Sequence, residues 1–158
     1  MKKLLTSVLA TLTLGAFAQN TAMNFDGVDD YIQTSYSGIS GDGARTLEAW
    51  VRTTEDAVGN QQVILDWGNT GTGERFTFNI LQNNSLRLEV AGNGVVGTTA
   101  VNDGAWHHLA ATYNPADDDT VRLYIDGVQD AKKKIDIVNT GSTNSVMIGR
   151  RQDDVNYF

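Results

Sequence analysis

Apolar and polar residues alternate with a period of two through most of this chain. Leu86, Leu88 and Val90 alternate with Arg87 and Glu89, and Phe76, Phe78 and Ile80 alternate with Thr77 and Asn79. Successive side chains of a strand point to opposite faces, so each run predicts a half-buried strand. Gln82-Asn83-Asn84-Ser85 between the two runs reads as the turn of a hairpin. Val121, Leu123 and Ile125 form another alternating set. Asp126-Gly127, both tolerant of positive φ, then turns the chain into Val128-Gln129-Asp130. Further strands are predicted over 24–33, 46–53, 62–67, 106–113 and 145–148. Many short strands joined by polar turns imply an all-β fold, a two-sheet antiparallel sandwich, with helix confined to a turn or two. The turn-rich stretches 35–44, 69–74, 92–97 and 114–119 are expected at its ends and edges, where binding function resides.

The first eighteen residues break this pattern. Lys2 and Lys3 precede an apolar run from Leu4 to Leu14, and Ala16-Phe17-Ala18 places small residues at the A-x-A positions. This is a secretory signal peptide over 1–18, with cleavage predicted before Gln19 and one domain over 19–158. The apolar run falls short of the ~20 residues a membrane span needs. The mature chain is therefore expected to be secreted or held at the cell surface, with no membrane span. Loss of Lys2 and Lys3 takes the formal charge from −7 to −9, ten basic residues against nineteen acidic. Such a balance disfavours nucleic acid, which needs a basic face. Lys132-Lys133-Lys134, the one basic run, reads as a solvated strand end or loop. No cysteine is present, which excludes disulfides, thiolate metal sites and a thiol nucleophile.

Asn24-Phe25-Asp26-Gly27-Val28-Asp29-Asp30-Tyr31-Ile32 is followed in order by Trp50 within Leu47–Arg52 and by Asp103-Gly104-Ala105-Trp106-His107-His108-Leu109-Ala110-Ala111-Thr112-Tyr113. Next comes Thr120-Val121-Arg122-Leu123-Tyr124-Ile125-Asp126-Gly127-Val128. This ordered set resembles the laminin-G-like, concanavalin A-like jelly-roll family from about Met23 to Gly149. The resemblance implies a jelly-roll sandwich used more for binding than for catalysis. It also implies that Trp50 is buried and that the Trp-His-His step is structural. Beyond Met147-Ile148-Gly149-Arg150-Arg151 the family continues with an aromatic-x-Gly turn and a closing strand. This chain reaches Asn156-Tyr157-Phe158 instead. The sandwich is therefore expected to be truncated, without its last strand, leaving the 25–32 strand an unpaired edge. A covalent continuation into further domains of a longer secreted protein is expected with it.

The candidate chemistry is sparse. Asp26, Gly27, Asp29 and Asp30 are the metal candidates, since calcium takes six to eight hard oxygens and closely spaced aspartates at a glycine turn offer several. In calcium-binding relatives a segment of this kind acts with an acidic residue of the last strand. The alternative is a tight turn with solvated flanks. Asp117-Asp118-Asp119 lacks EF-hand spacing and reads as a solvated hairpin loop. Trp50 and Trp106 are expected in the core. Trp67, which leads with Asn69 into the 68–73 loop, is the candidate ligand contact. His107 and His108 point to opposite faces of a strand and cannot jointly chelate one metal; a hydrogen-bonded histidine beside the core is expected. Glutamates stand only at 48, 55, 74 and 89, and none begins the Glu-x-Asp-x-x-Glu pattern of the superfamily's glucanases. The reading is a secreted non-catalytic binding module for carbohydrate or a cell-surface glycoprotein, with calcium as a structural ion. The alternatives are a protein–protein adhesion or spacer module, or an accessory domain of a polysaccharide-degrading enzyme.

Overall fold

The ten strands of the computed structural model are β1 (Ile32–Gln33), β2 (Arg45–Val51), β3 (Gln62–Gly68), β4 (Arg75–Ile80) and β5 (Ser85–Val90), followed by β6 (Asn93–Ala100), β7 (His107–Asn114), β8 (Thr120–Ile125), β9 (Val128–Lys134) and β10 (Met147–Ile148). The structure describes residues 21–57, 61–153 and 157–158. The expected leader and its cleavage site lie outside the described residues. Two antiparallel sheets form, ordered β1-β10-β3-β4-β5-β6 and β2-β7-β8-β9. No helix among the described residues is long and apolar enough to cross a membrane.

Period-two patterning explains how the sheets face each other. Phe76, Phe78, Ile80, Leu86, Leu88 and Val90 project from one sheet onto Leu109, Ala111, Tyr113, Val121, Leu123 and Ile125 of the other, and all twelve belong to one buried cluster. This is the all-β jelly-roll sandwich that the sequence predicts. The β8–β9 turn also follows the sequence. Asp126 and Gly127 have φ of 51° and 79°, the paired left-handed conformation that matches strand twist in a two-residue hairpin. Lys132, Lys133 and Lys134 end β9 with exposed side chains.

Three elements differ from expectation. The strand predicted over 24–33 shrinks to Ile32–Gln33, because the aspartates before it bond to the backbone of their own loop. The stretch 92–97, expected as a loop, lies mostly in β6, where Val95 pairs with Leu88. Its glycines serve close approach: a Cβ on Gly97 would lie 2.0 Å from Asp130 Oδ2. That carboxylate accepts the N–H of Thr98 at 2.9 Å and the hydroxyls of Thr98 and Thr99, tying β6 to β9 of the facing sheet.

The third difference is β4, expected half-buried, whose six residues are all buried. Its outer face carries a buried polar network. The Arg75 guanidinium donates to both oxygens of Asp66, at 2.7 Å from Nη2 to Oδ2. Thr77 and the backbone N–H of Gln152 donate to the same carboxylate. The segment after β10 thereby covers the sheet. An ion pair this deep persists because further hydrogen bonds surround its charges, Asp153 accepting from Arg75 Nη1 at 3.2 Å among them.

Candidate functional site

Along β2, Leu47, Ala49 and Val51 face the core, which turns Glu48, Trp50 and Arg52 outward in one column. Across the ladder Trp50 pairs with His108 of β7. Their rings stand 5.3 Å apart, and His108 Nε2 lies 3.4 Å from Glu48 Oε2. Just beyond the strand end the Arg52 guanidinium sits 5.6 Å above the Trp106 ring. Trp50 is 66% exposed and Trp106 47%. The expectation that both tryptophans belong to the core is corrected. They share strand parity with Glu48, Arg52 and His108, and parity decides the face. That signal was present in the sequence, because Leu47, Ala49 and Val51 already occupy the inward phase.

Trp67 is corrected in the opposite sense. It is 3% exposed, its indole N–H donates to the Ile39 carbonyl at 3.1 Å, and its ring packs 5.2 Å from Phe76. The Arg45 guanidinium lies over Phe76, Tyr113 and Trp67 together. A Cβ on Gly38 would strike the Trp67 ring at 2.2 Å, so the backbone itself closes this pocket. Trp67 therefore cannot meet a ligand at the surface. Inward parity on a central strand outweighs proximity to a loop. Asn69 is half-buried beside Gly141 and accepts a hydrogen bond from the Thr143 hydroxyl, which places it in loop packing rather than in a site with Trp67.

Beside the exposed tryptophans the two sheets part. A cleft of about 1000 Å³ opens between Ala49–Arg52 and the Ile32, Ile148 and Gly149 side, with Phe25 and Phe158 at its end. A second cleft of about 680 Å³, lined by residues 52–57 with Gln61 and Gln62, shares Phe25, Arg52 and Phe158 with the first. Gly27 also lines it, so the acidic loop borders this side of the molecule. Asp26, Asp29 and Asp30 are exposed, and one carboxylate oxygen of each lies within 4.8 Å of the others. Asp26 Oδ1 accepts the N–H of Val28 at 2.9 Å, and Asp30 Oδ2 accepts that of Asp26. The Val28 amide, with that of Asp29, holds the Asp26 carboxyl below its ordinary range. Gly27, at φ 76°, makes the turn that brings the three together.

The histidines divide as strand alternation requires. His108 lies on the outer face with Trp50, whereas both ring nitrogens of His107 meet carboxylates, Nδ1 at 2.8 Å from Asp126 and Nε2 at 3.1 Å from Asp103. Glu48 and Glu89 lie on opposite outer faces of the sandwich, each flanked by inward-facing neighbours, and so do not flank a common substrate.

Comparison with known proteins agrees with this architecture. The carbohydrate-binding module CBM40 of the Ruminococcus gnavus IT-sialidase is 18% identical, over 82% of this chain and 83% of that one, with a TM-score of 0.58. The same module bound to α2,3-sialyllactose superposes over 83% of this chain and 85% of that one at 18% identity and a TM-score of 0.57. Mouse laminin α1 domains LG4-5 are 13% identical, over 80% of this chain and 33% of that one, with a TM-score of 0.56. At these identities the likeness is one of fold. No curated protein sequence matches the chain. A sequence profile described as the concanavalin A-like lectin/glucanases superfamily matches residues 26–158. Its span takes in both sheets from β1 to β10, and the chain belongs to that superfamily.

Proposed function

We propose that this chain is an exported, non-catalytic binding module whose ligand is a carbohydrate or cell-surface glycoconjugate, held at the Trp50 face. The observation that carries the reading is an exposed indole with hydrogen-bonding groups set round it. A pyranose presents a C–H face that stacks on an aromatic ring and hydroxyls that need partners at its rim. Trp50 offers the ring, Glu48 an acceptor, and His108 and Arg52 donors. The likeness to a module solved with sialyllactose supports including sialylated glycans, whose carboxylate would suit Arg52.

Calcium at Asp26, Gly27, Asp29 and Asp30 is part of the same proposal. One carboxylate oxygen of each aspartate lies within 4.8 Å of the others, and three converging hard oxygens suit a hard cation such as calcium. Such an ion would neutralise the loop and fix its position beside the cleft.

The test is binding of the folded chain to a glycan panel that includes α2,3- and α2,6-sialyllactose, in calcium and in EDTA. Saturable binding that Trp50→Ala abolishes is expected, weaker in EDTA. A folded protein that binds no glycan overturns the carbohydrate reading and leaves the adhesion or spacer role.

A further inference from the structure

His107 stands between the two turns that flank the Trp50 face. Its Nδ1 lies 2.8 Å from Asp126 Oδ2 in the β8–β9 turn, and its Nε2 lies 3.1 Å from Asp103 Oδ1 in the β6–β7 turn. Each turn carries part of the ligand face. The other oxygen of Asp126 accepts the His108 N–H at 2.9 Å, and the Asp126 N–H donates to the His108 carbonyl at 2.8 Å. That turn therefore sets the backbone from which the His108 ring projects. The Asp103 turn leads into Trp106, whose ring lies under Arg52. Its Gly104 N–H donates at 3.0 Å to the carbonyl of Thr53, the residue after Arg52. Asp103 Oδ1 also accepts the Ala105 N–H at 2.8 Å, so the oxygen that closes the turn is the one that meets the imidazole.

The proton count of the ring decides when both links hold. An ionised carboxylate only accepts, a neutral imidazole has one N–H, and an imidazolium has two. A neutral His107 therefore keeps one link and turns a lone pair on the other carboxylate. Asp126 is the nearer partner, so the Asp103 link is the one given up. We propose that His107 is a positioning residue of the Trp50 face: protonated, it ties the Asp103 and Asp126 turns together and holds Arg52 and His108 in place for an acidic glycan. On losing its proton it frees the Asp103 turn, and with it the Trp106–Arg52 side of the face. This role rests on the carbohydrate reading above, and adds that pH sets the affinity through a ring lying behind the ligand contacts. Asp126 and Asp103 are the charged groups that act on the ring, and the hydrogen bonds to them, Asp126 foremost, raise its pKa above 6.5. The clamp is complete below about pH 6.5 and is lost as pH rises through the folded value.

The test follows binding of α2,3-sialyllactose to the folded chain from about pH 6 to about pH 8, beside NMR titration of the His107 ring. Affinity is expected to fall about threefold to tenfold, the worth of one hydrogen bond, with the midpoint of the His107 titration. His107→Gln and Asp103→Ser are each expected to abolish that midpoint and to hold affinity near the parent's value at high pH. The serine hydroxyl still caps the Ala105 amide, so the turn itself survives. His108→Gln, at a ligand contact, is expected to weaken binding and keep the midpoint. Without any ligand, the Trp106 indole resonance should shift and the Ala105 amide exchange faster over the same range. A midpoint that persists in His107→Gln overturns the proposal, as do Trp106 and Ala105 signals that ignore the His107 titration. Binding that does not change with pH overturns this role alone, whereas no binding at any pH overturns the carbohydrate reading and this role with it.

Discussion

The Asp126 carboxylate stands 2.8 Å from His107 Nδ1 and so fixes the histidine against the β8–β9 turn. The hydrogen bond to Asp126, joined by that to Asp103, raises the His107 pKa above its ordinary value of 6.5. The same pairing, with the His108 amide, lowers Asp126, and the Ala105 amide with His107 lowers Asp103. A raised imidazole value makes this link fully present below about pH 6.5 and lost as pH rises through the folded value. On the acid side it is lost as pH falls through the depressed carboxyl values. Melting temperature is therefore expected to decline from pH 6 towards pH 8, and His107→Gln to flatten that decline. An unchanged slope in the variant would remove His107 as its source.

Arg75 and Asp66 are almost wholly buried, with side chains 3% and 0% exposed. Asp66→Ala leaves the buried guanidinium only the half-exposed Asp153, 3.2 Å from Nη1, and is expected to cost about 3–5 kcal/mol in urea unfolding. Adding Arg75→Met to it should recover part of that loss, because the poorly compensated buried charge is then gone. A double variant as unstable as the sum of the singles would show that the two do not act as a pair.

The two tryptophans of opposite parity should respond oppositely to truncation. Trp67→Ala removes a buried ring and an indole hydrogen bond, and about 3–5 kcal/mol of stability should go with them. Trp50→Ala alters an exposed face, and its folding stability should stay within about 0.5 kcal/mol of the parent while glycan binding is lost. Denaturant titration of both variants decides the assignment.

Asp130 links β6 to β9 through the Thr98 amide and two hydroxyls. Its replacement by alanine should cost about 1–3 kcal/mol, three bonds of modest net worth. The amide of Thr98 should then exchange with solvent faster, as hydrogen exchange would show. Gly97→Ala should produce a similar loss by pushing the carboxylate away.

Much of the fold was legible in short-range pattern. The runs 76–80, 86–90 and 121–125, and the Asp126-Gly127 turn, needed only period two and residues tolerant of positive φ. β6 escaped because its glycines mimic turn chemistry, whereas they leave room for Leu88 and Asp130. The candidate site was legible only in part. The acidic triplet could be seen as close spacing along the chain. The outward tryptophans were hidden by their apolar character, although parity with Glu48 and Arg52 marked their face.

By itself the sequence determined the class of the elements and most of the inward residues of the strands, because these depend on neighbours one to four residues apart, and its ordered motifs carried the likeness to a lectin/glucanase superfamily. The tertiary structure alone decided that the outer face of β4 is covered. It also decided that Trp50, Glu48, His108 and Arg52 meet. Each of these depends on which distant segment lies alongside, as Gln152 does on Asp66, and a one-dimensional pattern of hydrophobicity carries no record of that pairing.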